Sequence, residues 1–545
     1  MHKLFYYLLP AALIACLSGC ARPEAGDPAT GAATSVASNY QDAYRPQFHF
    51  TPRANWMNDP NGMVYLDGEY HLFYQYYPDS TVWGPMHWGH AVSEDLVRWE
   101  ELPIALYPDS LGYIFSGSAV IDHDNTSGFG TGGQAPMVAI FTYHDPEKAR
   151  AGATDVESQA IAYSLDRGRS WTKYAGNPVI PNPGDQRDFR DPKVIWHADS
   201  ESWVMVLAAR DRLQFYGSPD LKNWTYLSEF GRQYGTHAGV WECPDLFPMT
   251  VEETGETKWV AIQNINPGGP NGGSGTAYYV GDFDGKTFTI DPRFARDVTG
   301  ERAVWLDHGR DNYAGVTWSN VPAEDGRRLF IGWMSNWDYA NLVPTEKWRS
   351  ATTLLRRLTL HRTEAGYRVY SQPVRELHDL RRESFPVAAR DTLLSGNFTG
   401  PASAPASPPL AELELSFLLT EGRQADFGVE LFNDHGDRYR IGYDGTKNAY
   451  YSDRTRAGAT NFSDKFDATI AQAPRLATGD TVRLYLYLDV ASAELFADGG
   501  ATVMTEIFFP ERALTELRVY GTENGVAFLG GTAHRLGSIW GGSDQ

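Results

Sequence analysis

From residue 46 onward, apolar and polar positions alternate in short runs, and turn-forming residues separate these runs. The run 63–66 (MVYL) is followed by Asp67-Gly68 and then by the run 70–74 (YHLFY). Two such runs joined by Asp-Gly are typical of two strands and a hairpin turn. No long stretch of the sequence repeats its apolar residues with the period of an amphipathic helix. The pattern therefore predicts an all-β protein.

A loose repeat indicates how the strands of residues 45–360 are arranged. In each copy an apolar strand ends in a short acidic turn, and an aromatic residue follows soon afterwards. Four copies are visible, with turn and aromatic residue at 93–95 and Trp99, 164–166 and Trp171, 218–220 and Trp224, and 282–285 and Phe288. Copies spaced in this way favour the blades of a β-propeller, in which each blade is a small antiparallel sheet.

The pattern changes after about residue 360. We interpret residues 361–385 as a linker. Strict alternation returns in 413–417 (LELSF) and 482–488 (VRLYLYL), whereas the Pro- and Ala-rich segment 399–409 indicates an inserted loop. Period-two runs with turns between them predict a β-sandwich over residues 386–545.

Residues 1–20 have the layout of an export signal. Lys3 gives a positively charged start, and residues 4–17 form an apolar run that is too short to span a bilayer. The run ends in Leu17-Ser18-Gly19-Cys20, which resembles the lipobox of bacterial lipoproteins. We therefore predict lipidation of Cys20 and anchoring at the outer membrane or cell surface, the alternative being an ordinary periplasmic or secreted protein. Residues 21–44 have the composition of a flexible tether.

The negative net charge of the chain argues against some classes of binding partner. Its 47 Lys and Arg residues are outweighed by 68 Asp and Glu residues, for a formal net charge of −21. Such a field repels nucleic acids and anionic lipids. We therefore predict no nucleic-acid partner and membrane contact only through the lipid anchor, and the oligomeric state stays open. Aromatic residues make up 13% of the chain, which suits sugar rings and β cores alike.

Three carboxylates stand in unusual surroundings where predicted strands begin. Asp59 lies in the segment NWMNDPNG, Asp191 in DFRDPKV and Glu242 in WECPDLF. On turn statistics alone, an Asp among Asn, Pro and Gly is usually a structural turn residue. In a propeller, however, equivalent strand ends converge on the axial channel, so carboxylates from three blades can meet there.

These segments resemble the three signature motifs of glycoside hydrolase family 32, the β-fructosidases, which include invertases, inulinases and levanases. The motifs are residues 55–62, 190–192 (RDP) and 242–244 (ECP), and the resemblance runs from about residue 46 to the C-terminus. It extends to Trp83, to 115–118 (FSGS) and to 336–340 (NWDYA). The family fold is a five-bladed β-propeller followed by a β-sandwich, which agrees with the patterns above.

The resemblance implies a role for each carboxylate. Glycoside cleavage needs one carboxylate to attack and one carboxylic acid to protonate the leaving oxygen. By resemblance, Asp59 is the nucleophile, Glu242 the general acid/base and Asp191 the transition-state stabiliser. A retaining enzyme holds its two working carboxyl groups about 5–5.5 Å apart. We also expect a raised pKa at Glu242 and an amide hydrogen bond from Asn58 that orients Asp59. The residues implied to hold the terminal fructose are Asn58, Gln75, Trp83, Ser116, Arg190 and Trp337.

Other motifs are set aside, and no cofactor or metal is predicted. His87 and His90 lack a third ligand at zinc spacing, and residues 122–124 (DHD) lack the remaining residues of a calcium loop. Cys243 has no evident base partner, so we interpret it as a small apolar contact. The glycine-rich segment 267–275 lacks the lysine of a phosphate loop and predicts a loop near the rim of the pocket.

The function predicted from the sequence is a retaining β-fructosidase that hydrolyses fructans, and also sucrose, from the chain end. Residues 336–340, Thr345 and 348–350 (WRS) resemble the fructan-hydrolysing branch of the family. Two alternatives stay open at this point. One is a surface lipoprotein that binds fructan without cutting it, and the other is a fructosyltransferase that shares the covalent step. No single residue selects between levan and inulin.

Overall fold

The computed structural model describes residues 40–389, 394, 408–420, 425–521 and 525–540. The predicted signal at residues 1–20, the lipidation of Cys20 and most of the predicted tether lie outside these residues. So do residues 399–407 of the predicted inserted loop.

Five antiparallel sheets, each built on four main strands, follow one another along the first part of the chain. The first sheet contains β1 (Asn55–Leu66), β2 (Glu69–Tyr77), β3 (His87–Ser93) and β4 (Glu100–Leu106). The second contains β5 (Tyr113–Ile121), β6 (Met137–His144), β7 (Glu157–Ser164) and β8 (Thr172–Lys173). The third contains β9 (Phe189–His197), β10 (Ser202–Ala209), β11 (Leu213–Ser218) and β12 (Thr225–Phe230).

The fourth sheet contains β13 (Val240–Thr250), β14 (Thr257–Asn266), β15 (Gly275–Phe283) and β16 (Phe288–Ile290). The fifth begins with β17 (Tyr313–Thr317) and β18 (Arg328–Met334), which the short strands β19 (Trp348–Arg349) and β20 (Ala351–Thr352) follow in the chain. It is completed by β21 (Arg356–Thr363) and β22 (Gly366–Pro373). The inner strands β1, β5, β9, β13 and β17 contact their neighbours around one axis. The predicted five-bladed propeller is confirmed.

The ring closes between its last and first blades. Strand β19 pairs in parallel with β1, and the backbone amide of Asn55 donates to the carbonyl oxygen of Lys347 at 2.8 Å. A second bridge joins Val64 to Ser319. Lys347 and Ser319 both lie in the chain segment that forms the fifth blade, so these contacts join the motif that carries Asp59 to the last blade of the propeller.

Helical structure is confined to short turns in the described residues. These are α1 (Pro146–Arg150), α2 (Pro292–Ala295) and two 3₁₀ turns at Ala198–Ser200 and Arg375–Leu380. The carboxylates of Asp145 and Asp291 cap the two α-helices at their N-termini. Neither helix is long and apolar enough to cross a bilayer.

The second domain is a sandwich of two antiparallel sheets. Its strands are β23 (Arg381–Val387), β24 (Ala411–Leu419), β25 (Asp426–Phe432), β26 (Arg438–Asp444), β27 (Ala449–Arg456), β28 (Ala471–Pro474), β29 (Thr481–Asp489), β30 (Ser492–Ala497), β31 (Thr502–Ile507), β32 (Glu516–Gly521) and β33 (Val526–Leu536). One sheet has the order β23-β33-β24-β29-β30-β31, and the other has the order β28-β27-β26-β25-β32. Alternate residues such as Leu413, Leu415 and Phe417 are buried in the core between the sheets. The predicted sandwich is confirmed.

The domain boundaries differ from those expected from the sequence. Residues 361–373, which we assigned to a linker, belong to β21 and β22 of the fifth blade. Tyr367 and Val369 of this segment are buried in the apolar core of the propeller, so the segment is part of the folded blade. At the other end, Tyr40 of the expected tether stacks on Trp540 with ring centroids 3.8 Å apart. The last residues of the tether, 40–44, are therefore part of the folded body.

Buried charges join the propeller to the sandwich. Arg356 of β21 donates to Asp307 at 2.9 Å and to Glu494 of β30 at 2.7 Å. His49 lies between Glu494 and Asp489, at 3.0 and 2.7 Å. Burial disfavours the charged imidazole, yet the two carboxylates raise the pKa of His49 to about 9. The interface therefore rests on a network of fully buried ions.

Candidate active site

The inner strand of every blade is irregular near the same end of the channel. Register shifts fall at Met57/Pro60 of β1, Phe115/Gly117 of β5, Arg190/Lys193 of β9, Glu242/Asp245 of β13 and Tyr313/Val316 of β17. Three residues at these bulges have left-handed backbones, with φ of 65° at Asp191, 40° at Cys243 and 51° at Ala314. Bulges turn side chains away from regular alternation. Here they bring polar side chains from all five blades to the mouth of one channel.

The carboxylate of Asp59 is hydrogen-bonded to a residue of the neighbouring blade. Its Oδ2 accepts a hydrogen bond from the hydroxyl of Ser116 at 2.8 Å. Its buried Oδ1 accepts none from the described residues. The expected bond from Asn58 is not the one that orients this carboxylate, because Oδ1 of Asn58 accepts from the indole of Trp56 at 2.7 Å. Asn58 therefore fixes Trp56 beneath the pocket, and Ser116 fixes Asp59.

Asp191 is the most buried of the three carboxylates. Its Oδ2 accepts the backbone amide of Cys243 at 2.9 Å and lies 4.0 Å from Nε of Arg190. Burial, together with the negative charges of Glu242 and Asp59 and against the opposing effect of Arg190, raises the pKa of Asp191 to about 8. The carboxylates are thus close enough to influence one another's protonation.

Both carboxylate oxygens of Glu242 accept hydrogen bonds. Its Oε1 accepts from Nη2 of Arg190 at 2.9 Å, and its Oε2 accepts from the hydroxyl of Tyr313. Burial raises the pKa of Glu242, and the charge of Asp59 adds to this effect, whereas Arg190 and Tyr313 oppose it. The direction of the shift is the one expected for a general acid.

Glu157 and His144 support this arrangement, and sequence reasoning missed both. Glu157 accepts from Nη1 of Arg190 at 3.1 Å and from the backbone amide of Phe189 at 2.7 Å. Nδ1 of His144 lies 3.3 Å from the same carboxylate. Although burial works against ionisation, these contacts lower the pKa of Glu157 to about 2. Glu157 and His144 begin β7 and end β6, and no motif marks either position.

Cys243 packs in a buried apolar cluster, as we interpreted it from the sequence. Its Sγ also lies 3.5 Å from Oδ2 of Asp59 and 3.6 Å from Oδ2 of Asp191, which the sequence did not indicate. Burial, followed by the surrounding carboxylates, raises the pKa of the thiol well above its usual value. The side chain therefore stays a neutral S–H group whose single proton is shared between the two carboxylates, and a thiolate nucleophile is disfavoured.

The predicted site residues line a single pocket of about 410 Å³. All nine are present at its wall, namely Asn58, Asp59, Gln75, Trp83, Ser116, Arg190, Asp191, Glu242 and Trp337. Trp83 is 39% exposed at the rim, where its backbone amide donates to Asn341 at 2.9 Å. The glycine-rich segment 267–275 lies beside the pocket, as predicted, because Ser274 accepts the backbone amide of Trp337 at 3.2 Å.

Cross-blade hydrogen bonds close the channel two to four residues further along the inner strands. Ser118 of β5 donates to the carbonyl of Pro192 at 2.9 Å. Nζ of Lys193 donates to Asp245 of β13 at 3.1 Å and to the carbonyl of Thr317 of β17 at 2.5 Å. The pocket is therefore blind and opens only at the end where the carboxylates lie.

Comparison with known proteins agrees with this geometry. The similarity covers more than nine-tenths of this chain. The levanase of Bacillus subtilis (strain 168) is 47% identical over 512 residues, which cover 93% of this chain and 72% of that protein. An extracellular exo-inulinase of Aspergillus niger is 39% identical over 527 residues, which cover 92% and 96% of the two chains. The crystal structure of exo-inulinase from Aspergillus awamori matches with a TM-score of 0.82 at 36% identity, covering 92% of this chain and 100% of that one.

Family models match both domains. The model of the glycosyl hydrolases family 32 N-terminal domain matches residues 49–373, and that of the family 32 C-terminal domain matches residues 376–534. The first match ends where β22 ends, and the second begins just before β23. The chain therefore belongs to glycosyl hydrolase family 32.

Proposed function

We propose that this protein is a retaining, exo-acting β-fructosidase that releases fructose from fructans, with Asp59 as nucleophile, Glu242 as general acid/base and Asp191 as transition-state stabiliser. Membership of family 32 and the levanase and exo-inulinase relatives show a glycoside hydrolase of β-fructofuranosyl linkages. The observation that carries the assignment of roles is the meeting of three carboxylates from three blades in one blind pocket.

In the first step, a carboxylate oxygen of Asp59 attacks the anomeric carbon of the terminal fructosyl unit. The bond from that carbon to the glycosidic oxygen breaks, and Glu242 gives its proton to the departing oxygen. Ser116 holds Asp59 for this attack through its 2.8 Å hydrogen bond. Asp191, deepest among the three carboxylates, is placed to bind fructose hydroxyls as positive charge develops on the ring.

In the second step, water replaces the leaving group. Esterification of Asp59 removes the negative charge that helps to raise the pKa of Glu242. The pKa of Glu242 therefore falls in the intermediate, and Arg190 and Tyr313 stabilise its ionised form. Glu242 then takes a proton from water, the resulting hydroxide attacks the anomeric carbon, and Asp59 leaves as a carboxylate.

The shape of the pocket supports release of single fructose units. The channel is closed behind the carboxylates by Ser118 and Lys193, so a chain cannot thread through it. A terminal unit can enter between Trp83 and Trp337 while the rest of the polymer stays outside. The same argument accommodates sucrose, whose fructosyl unit is also terminal.

Two other functions are less well supported. A binding protein that no longer cuts has no need for a paired acid and nucleophile, and Asp59, Asp191 and Glu242 are all present here. A fructosyltransferase differs only in the acceptor of the second step. Incubation with levan, inulin and sucrose, followed by sizing of the products, tests all three functions. Free fructose as the sole early product supports the proposal, whereas a ladder of short oligosaccharides, longer transfer products or no turnover would overturn it.

The protein is exported, as its extracellular relatives suggest, and we place it on the cell surface through a lipid at Cys20. A surface enzyme meets polymers that cannot enter the cell. Cell fractionation tests the anchor, since the wild type should sediment with membranes and a Cys20→Ala variant should be released. A wild type found wholly in the soluble fraction would contradict the anchor and leave the enzymatic proposal intact.

A further inference from the structure

A second cavity, of about 560 Å³, occupies the other end of the propeller axis. We call it the lower cavity and define it by Asp124, Trp196, Phe247, Trp259, Asn320 and Arg328. The bonds of Lys193 that close the channel also form its floor. Asp191 and Trp196 are five positions apart on β9, which corresponds to roughly 17 Å of strand. A molecule in the lower cavity therefore cannot reach the carboxylates of the pocket.

The wall of the lower cavity offers large aromatic faces to solvent. Trp196 is 41% exposed and stands edge-on to Trp203, with ring centroids 5.1 Å apart. Trp259, on the neighbouring blade, is partly buried. In the described residues, two tryptophans are exposed to solvent, Trp83 and Trp196. Trp83 lies at the pocket, and Trp196 lies at the lower cavity, at the opposite end of the propeller. Burying such a face against an apolar sugar face is favourable.

The polar groups of the lower cavity fit a neutral ligand that is rich in hydroxyls. Among the described residues, the side chain of Arg328 forms no ion pair and one hydrogen bond, which runs to the carbonyl of Trp318 and is 3.4 Å long. Its guanidinium packs against the ring of Phe247 at 4.8 Å, which leaves donors for a ligand. Two cations and four aspartates line the cavity, so an anion meets a net negative wall. Asp124 adds an acceptor beside these donors.

We infer that the lower cavity is a second, non-catalytic carbohydrate-binding site that holds a stretch of neutral fructan. Aromatic faces beside mixed donors and acceptors are the features that recognise an uncharged sugar chain. The inference rests on the proposed function only for the identity of the sugar. Binding on the face opposite the pocket keeps the enzyme on the polymer while successive chain ends are cut, which raises the local concentration of ends.

Affinity electrophoresis in gels containing levan or inulin tests this site. The Asp59→Ala protein serves as the background, so that the polymer is not digested during the run. Adding Trp196→Ala, or separately Arg328→Gln, should weaken retardation by about tenfold, the loss of roughly one good contact. Adding Tyr226→Ala is the matched control, because Tyr226 is 50% exposed on the same blade but does not line the cavity. Unfolding curves of all variants check that each is folded.

The same substitutions in the active protein separate this site from the pocket. Trp196→Ala should leave kcat and KM for sucrose unchanged and raise KM for the polymer. Equal retardation of the Trp196→Ala and Tyr226→Ala proteins would overturn the inference, as would stronger retardation by an anionic polymer such as heparin than by levan. Failure of the proposed function would look different, since the wild type would then leave sucrose, levan and inulin intact whatever the gels show.

Discussion

Arg190 of the third blade donates to Glu242 of the fourth blade, with Nη2 and Oε1 2.9 Å apart. The same guanidinium donates to Glu157 at 3.1 Å through Nη1. One cation thus holds the proposed acid/base on one side and, on the other, a carboxylate whose pKa is lowered to about 2. Because charges near Glu242 set its pKa, residues that touch this pair should shift the pH dependence of the reaction in directions that the contacts fix.

Tyr313→Phe should move the alkaline limb of the pH profile upward. The hydroxyl of Tyr313 donates to Oε2 of Glu242 and so favours its ionised form. Without that donor the pKa of Glu242 rises, and the protonated acid persists to higher pH, by up to about one unit. The profile of kcat/KM for sucrose measures this shift. An unchanged alkaline limb would mean that Glu242 does not control it.

Glu157→Gln should move the alkaline limb of the pH profile to lower pH. Loss of the anion leaves more of the charge of Arg190 to act on Glu242, so the pKa of Glu242 falls and activity is lost at a lower pH. We expect kcat/KM near neutral pH to fall by about tenfold. Asp188→Asn provides a graded comparison, because Asp188 also contacts Arg190, at 3.0 Å, but is more exposed to solvent, so it should move the limb in the same direction by a smaller amount. A purely structural role for Glu157 would lower activity without moving the limb.

Cys243 should resist thiol reagents in the native enzyme. Its side chain is buried and its pKa is raised well above the usual value, so almost no thiolate forms at pH 8. Titration with Ellman's reagent should show no reactive thiol before unfolding and one afterwards in protein that begins after Cys20. Cys243→Ala removes the S–H donor between Asp59 and Asp191 and should lower kcat by about tenfold. Rapid labelling with loss of activity would contradict this account.

His49 should make stability depend on pH in the alkaline range. Its pKa is raised from 6.5 to about 9, so its contribution is fully present below pH 6.5 and is lost as pH rises to about 9. The shift corresponds to roughly 3 kcal/mol of unfolding free energy. Thermal unfolding of the wild type should show this decline, and His49→Asn should abolish it. His435→Asn, which changes an exposed histidine, should keep it.

The fold class could be predicted from local sequence patterns, and the nine pocket residues were implied by the resemblance to family 32, whose motifs are local in the sequence. Asn, Asp, Pro and Gly at strand entries mark bulges, and the bulges aim Asp59 and Glu242 into the channel. Residues that act through partners from other blades carry no such signal. Tyr313 and Glu157 contribute only once β17 and β7 are brought beside Glu242 and Arg190.

Two predictions failed for the same physical reason. Asn58 was expected to hold its sequence neighbour Asp59, but the donor to Asp59 is Ser116 of the next blade. The segment 361–373 was expected to be a linker, but it completes the hairpin of β21 and β22, which joins the fifth blade through the pairing of residues 356–358 with β18. In both cases a contact between residues far apart in the sequence decides the outcome, and a local pattern cannot report it.

The central claim is that Asp59 forms a covalent bond to fructose and that Glu242 acts as the general acid and base. Glu242→Gln with β-fructofuranosyl fluoride tests it most directly, because fluoride departs without needing an acid and the second step then lacks its base. Rapid quenching and peptide mass spectrometry should find a fructosyl group on the peptide that contains Asp59, and Asp59→Ala in the same background should abolish it. A fructosyl group on Asp191 or elsewhere, or turnover of the fluoride with no adduct and inverted product, would contradict the account.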